Sequence, residues 1–246
     1  MIPEVIAGLA WQAWLVVAAA GLLSGISKTS ISGLAMVAVA LVALVMPTRD
    51  STGAVLLLLL TGDLVAIWLY RRNVDWRLIL RLVPPVLIGI GAGALFLSFA
   101  DDLVLRRTIG ILVIGLLILG FWRSRLPTHG PAMAAGYGGL AGFTTMVANA
   151  GGAPMNLYLL AARYEKWRFI GTGAWFFFAV NAMKLPISAG LGIVRADTIV
   201  LWATVAPIVL VGTWLGRVLI KRIDQRIFEG LVTASVAASA LYLTFF

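Results

Sequence analysis

The chain has 246 residues, of which 61% are hydrophobic and 12% charged, with a mean hydropathy of +1.02 and a formal net charge of +9. Soluble domains carry about 25% charged residues, and apolar runs recur here along the whole length, which excludes a soluble domain with one anchor and predicts an all-α integral membrane protein. With no cysteine, and a single histidine, His129, in the loop-like "RLPTHGP", disulfides, thiolate or histidine metal sites and Cys or Ser-His nucleophiles have nothing to build on, so no cofactor or metal is expected.

Charged and Pro/Gly breaks divide the chain into ten apolar segments, near 5–26, 31–46, 51–70, 78–99, 103–122, 132–148, 152–162, 168–191, 198–220 and 226–244. The first opens on Glu4 without a basic leader, and reads as part of the mature protein rather than a cleaved signal. The basic residues fall in short clusters between segments, which argues for the loops of a bacterial inner-membrane protein and against a nucleic-acid partner. Connections containing Arg71 to Arg81, Arg123 and Arg125, Arg163 to Arg168, and Arg217 to Arg226 are basic. Those between them, at Arg49-Asp50, Asp101 to Arg107 and Arg195 to Asp197, are near neutral. This alternation predicts basic loops in the cytoplasm and both termini outside.

The ten segments suggest two sets of five, residues 1–125 and 126–246. An offset of 123 lays Pro84, Gly89, Gly93 and Asp101 on Pro207, Gly212, Gly216 and Asp224. Offsets of 117 and 119 lay Gly21 and Gly25 on Gly138 and Gly142, and Gly33 on Gly152. An odd number of segments per repeat predicts two inverted repeats, the architecture of many secondary transporters, with the substrate site where the repeats meet. As helices, segments 31–46 and 152–162 would reach only about 24 and 17 Å, short of a hydrocarbon core of about 30 Å. The first two segments of each repeat are therefore expected to form a re-entrant or broken pair, giving eight full crossings and two re-entrant hairpins. Irregular backbone at that depth belongs where it lines a cavity.

The first break reads "SGISKTSISG". An ammonium at the bilayer centre costs about 2.5–3.5 kcal/mol on insertion scales, so Lys28 needs a partner or a passing anion. Ser27, Thr29, Ser30 and Ser32 set hydroxyl donors beside it, and a half-helix starting near Ile31 would add unpaired N–H groups and its positive end. The competing reading places Lys28 in an ordinary cytoplasmic loop. The second break, "GFTTMVANAGGAPMN", repeats the chemistry without charge through Thr144, Thr145, Asn149, Gly151, Gly152 and Asn156. Close helix packing is an equal reading of the two threonines.

Asp63, about twelve residues into its helix, is a proton carrier, a counter-ion to Lys28 or a packing clasp. Asn181 and Lys184 lie three apart, on one helix face, just before Pro186, and Lys184 could instead snorkel to the interface.

At "GLLSGISKTSISGLA", "TGDLVAIWLYRRNVDWRLILRLVPPVLIGIGAGALF" and "GGLAGFTTMVANAGGAPMNLYLL" the sequence resembles the TauE/SafE sulfite exporter family, also called the four-toluene sulfonate uptake permeases. The resemblance covers nearly the whole chain and implies a polytopic inner-membrane transporter of sulfur-containing anions such as sulfite or organosulfonates. Where many relatives carry a run of glycines at the first break, this chain has Lys28, Thr29 and Ser30. The expected activity is proton-coupled secondary transport by alternating access, with Asp63 and Lys184 in coupling and the polar residues of the breaks, with Asn181, on the anion. The expected partners are a small anion and the lipid bilayer, and homodimer formation stays open. An anion channel and, further off, an intramembrane enzyme are the alternatives; the latter lacks a nucleophile with a base.

Overall fold

The computed structural model describes residues 11–30, 34–101 and 130–245, together with positions 104, 108, 111 and 115. Among the described residues the regular structure is entirely helical: α1 (Trp11–Thr29), α2 (Leu34–Val45), α3 (Thr48–Tyr70), α4 (Trp76–Phe99), α5 (Pro131–Ala148), α6 (Gly152–Ala161), α7 (Lys166–Gly190), α8 (Ala196–Arg222) and α9 (Gln225–Phe245). The predicted segment 103–122 falls outside the continuously described residues.

Punctuation in the sequence sets these ends. The Asp75 carboxylate accepts the Leu78 N–H at 3.1 Å and caps α4. At the start of α8 the Arg195 N–H donates to the Thr198 hydroxyl at 2.8 Å, which satisfies a backbone donor at the helix entrance. Helix α5 closes on Asn149 in the left-handed region, with φ of 53°, the conformation that short polar side chains tolerate at a helix C-terminus. The two short elements are helices of 12 and 10 residues, about 18 and 15 Å long and too short to span.

Three described helices are long and apolar enough to cross a membrane: Asp50–Tyr70, Trp76–Phe99 and Ala196–Arg222. Helix α7, with 25 residues, is long enough, but Gly171, Thr172, Gly173, Asn181, Lys184 and Ser188 lie buried along it and dilute its apolarity. Its polar face is turned into the protein. Helices α4 and α8 instead expose Leu80, Ile88, Leu95 and Phe99, and Leu210, Val211 and Trp214, a surface suited to acyl chains rather than water.

The packing crosses the middle of the sequence. Helix α1 lies on α8, α4 on α5, and α3 on α7. Small residues let the first two pairs touch backbone to backbone. A methyl at Gly25 would collide with the Val209 carbonyl, and one at Gly142 with the Val86 carbonyl. A methyl at Gly216 would lie 2.8 Å from the Ile26 carbonyl oxygen, and one at Gly93 would lie 3.2 Å from that of Phe143. The offsets of 117 and 123 that align the sequence thus also exchange one contact for the other. One core cluster joins α1, α2 and α3 to α8, and the other joins α4 to α5, α6, α7 and α9, with Ala66 and Tyr70 of α3 and Ile220 of α8.

Candidate functional site

Both breaks open onto one cavity. Its polar wall consists of Ser27, Lys28, Ser30, Thr145, Asn149, Gly152, Asn156 and Asn181, and its apolar wall includes Leu59, Phe169, Ile170, Ala174 and Phe177.

Lys28 belongs to the last turn of α1, where the unpaired carbonyls favour a cation. Its side chain is only 6% exposed, which overturns the reading of an ordinary loop lysine. The aliphatic stem passes over Gly62 of α3, where a Cβ would come 2.8 Å from Lys28 Cγ. Its Nζ lies 2.8 Å from Asp63 Oδ1 and 4.8 Å from the centre of the Phe177 ring. Asn181 donates to the other Asp63 oxygen at 2.7 Å. Of the three readings of Asp63, the geometry realises the counter-ion. Asp63 itself is fully buried behind the wall.

The other residues of the first break divide between cavity and helix contact. Ser27 and Ser30 line the cavity, and the Ser30 hydroxyl donates to the Ile26 carbonyl at 2.7 Å. Thr29 faces α8, donating to Thr213 O at 2.9 Å, while its own carbonyl accepts the Tyr70 hydroxyl at 2.7 Å. Ser32 and the expected helix start at Ile31 lie outside the described residues; α2 is described from Leu34.

At the second break Lys184 is 1% exposed and does not snorkel. Its Nζ donates at 2.5 Å to the Thr145 carbonyl and at 2.5 Å to Asn149 Oδ1, with Thr145 Oγ1 at 3.4 Å. Asn149 also donates to the Thr52 carbonyl at 3.1 Å, tying the end of α5 to α3. The Thr144 hydroxyl is taken by its own helix, donating to Leu140 O at 2.7 Å, and Thr144 is not part of the cavity wall. Gly151 turns back onto α5, where a Cβ would lie 2.7 Å from Ala141 O. Gly152 and Asn156 do line the cavity, and the buried Asn156 Oδ1 has no hydrogen-bond partner among the described residues.

Sequence reasoning missed Gly62, Tyr70 and Phe177. Gly62 carried a usable signal, a glycine directly before Asp63, the acid in the apolar interior of its helix. Phe177 sits in the run "WFFF", where nothing in the sequence marks one ring as facing the cavity.

Away from the cavity, two ion pairs join elements distant in sequence. Arg195 meets Asp50 at 2.7 Å, near the starts of α8 and α3. Arg168 meets Asp75 at 2.7 Å at the other end of α3 and α7, where Tyr164 donates to the same carboxylate at 2.6 Å. Burial works to raise the Asp75 carboxyl, but the bonds from Tyr164 and the Leu78 N–H, with the Arg168 guanidinium, hold it below its ordinary value. At that same end the Lys166 ammonium donates to the Ile220 and Ile223 carbonyls. Three of the four basic connections are thereby gathered together.

Comparison with curated proteins and with solved structures found no match. The family profile described as sulfite exporter TauE/SafE matches residues 17–243, nearly the whole of a chain whose long apolar helices already mark it as a multi-pass membrane protein. The chain therefore belongs to the sulfite exporter TauE/SafE family, a family of membrane transporters of sulfite and related anions.

Proposed function

We propose that the protein is a secondary transporter of a small sulfur-containing anion, sulfite or an organosulfonate, in the bacterial inner membrane. The observation that carries this reading is the Lys28 ammonium, buried on the cavity wall beside Ser27, Ser30, Thr145, Asn149, Asn156 and Asn181. Hydroxyl and amide donors around one desolvated cation suit a compact oxyanion. The Gly152 end of α6 adds the start of a helix. Thr29, Thr144 and Gly151 hold the breaks in shape rather than touch the anion.

The matched contacts of α1 with α8 and of α4 with α5 support two repeats, 1–125 and 126–246, inverted relative to each other, with the short elements α2 and α6 completing re-entrant pairs. Rocking of one repeat against the other alternates access to the cavity, and Asp63, bonded to Lys28, carries the coupling proton. The basic connections Arg71 to Arg81, Arg163 to Arg168 and Arg217 to Arg226 face the cytoplasm, which puts the termini outside.

Anion flux into proteoliposomes tests the reading. Lys28→Ala is expected to abolish saturable sulfite or methanesulfonate uptake while the protein remains folded. Unchanged flux and affinity in that variant would remove Lys28 from the site. Uptake that neither saturates nor responds to a proton gradient would make the protein a channel.

A further inference from the structure

We infer that the anion has a second route, closed in this structure, along the start of α3: Ser51, Thr52, Val55 and Leu56 line the way to the face opposite the one toward which the cavity now extends. This deepens the transporter reading and rests on it. Helices α3 and α7 run antiparallel and meet centrally at the bond between Asp63 and Asn181. An offset of 118 lays one helix on the other, and their two ends are closed by the same device. A methyl at Gly53, near the start of α3, would collide with the Ile193 carbonyl just beyond α7. One at Gly171, the residue 118 positions on, would collide with the Asn73 carbonyl just beyond α3.

Beside each of these contacts lies an ion pair of 2.7 Å that joins the two repeats. Asp50 of α3 meets Arg195, the N-cap of α8, and Arg168 of α7 meets Asp75, the N-cap of α4. Asp50 and Arg168 are 118 apart and Asp75 and Arg195 are 120 apart, so the two seals are counterparts with their charges exchanged.

The cavity does not share this symmetry. From Asn181 it extends along α7 past Phe177, Ala174, Gly173 and Ile170 to Phe169 in the first turn, a rise of about 18 Å. Of the counterparts of these five on α3, only Leu59 lines it. Ser51, Val55 and Leu56 are 2% exposed or less, and Val55 is packed with α1, α2 and α8. Two equivalent crossing helices can hold the open and the packed arrangement either way round, so exchanging the arrangements opens the α3 side as the α7 side closes. Both seals are made here, and full opening at either end parts the ion pair at that end.

The absence of cysteine from the chain makes single-cysteine variants a clean test. Vesicles of both orientations are treated with a membrane-impermeant maleimide, and Arg72→Cys marks the face of the basic connections. Ala174→Cys is expected to be labelled from that face, and Leu56→Cys and Thr52→Cys only from the opposite one. Adding Asp50→Asn is expected to shift the ratio of the two labelling rates toward the α3 positions, and adding Asp75→Asn toward Ala174→Cys. Each shift should be about two- to fivefold, as one exposed ion pair allows. Thr52 is half-buried and close to cysteine in size, so Thr52→Cys decides the matter if Leu56→Cys does not fold. Three results would overturn the second route while leaving the transporter reading intact. They are α3 positions protected from both faces in protein that takes up methanesulfonate, α3 positions labelled from the Arg72 face, and a ratio moved the same way by both substitutions. Labelling of the α3 and α7 positions together, with uptake that does not saturate, would overturn the transporter reading itself.

Discussion

The two breaks differ in where their cation comes from. The first carries its own, Lys28, and draws the balancing acid from the crossing helix α3. The second carries only Thr145 and Asn149 and draws a cation, Lys184, from the crossing helix α7. The offset of 117 lays Lys28 on Thr145, and one of 118 lays Asp63 on Asn181; Asp63 and Asn181 are themselves hydrogen-bonded across the centre. One backbone device has been fitted with two chemistries. The first break holds a charge pair that a ligand can disturb, and the second a cation committed to holding up the turn.

Breaking the pair at the first break has the largest expected effect. Asp63→Ala leaves Lys28 buried and unpaired, a change that costs about 3–5 kcal/mol in buried ion pairs, read as a fall in the thermal midpoint of detergent-solubilised protein. The double variant Lys28→Met with Asp63→Leu should recover most of that loss while remaining inactive. A double variant no more stable than Asp63→Ala would show that the pair does not act as a unit. At the second break Lys184→Met strands the Thr145 carbonyl and Asn149 Oδ1, with an expected loss of about 1–3 kcal/mol. A loss as large as that of Asp63→Ala would erase the distinction between the breaks.

The smallest effect lies outside the cavity. Because the folded Asp75 carboxyl is held below its ordinary value of 3.8, its contribution is present above that value and is lost as pH falls through the lower, folded one. Below about pH 4 the thermal midpoint should fall less in Asp75→Asn than in the wild type. Arg168 is 58% exposed, so screening limits the difference to about 1 kcal/mol or less. An equal fall in both proteins would assign the acid sensitivity elsewhere.

Helix limits were readable because proline, glycine and charge mark them: the segment expected at 78–99 is the helix Trp76–Phe99, and that at 152–162 is Gly152–Ala161. The burial of Lys28 was readable too, since hydroxyls and glycines surround it in an otherwise apolar stretch. Individual side-chain directions were not. Thr144 and Thr145 are neighbours in sequence, yet about 100° of helix rotation separates them, which sends one hydroxyl to its own helix and leaves the other at the cavity. Asn181 and Lys184 share a face as their spacing requires, but they serve different partners, Asp63 and the second break. Such choices depend on which helix lies opposite, and that is a matter of tertiary packing. The same limit hid Phe177, one of three adjacent phenylalanines.

The way α1 lies in α8 and α4 in α5 also bears on assembly. Each front portion of the chain rests in a groove supplied by the back portion, glycine against carbonyl, like two hands with fingers interlaced. A fragment ending after α4 would leave α1 and α4 presenting bare backbone to lipid, and one beginning at α5 would do the same for α5 and α8. Neither is equipped to stand by itself: α4 gains its seat once α5 is in place, whereas α1 must wait for α8.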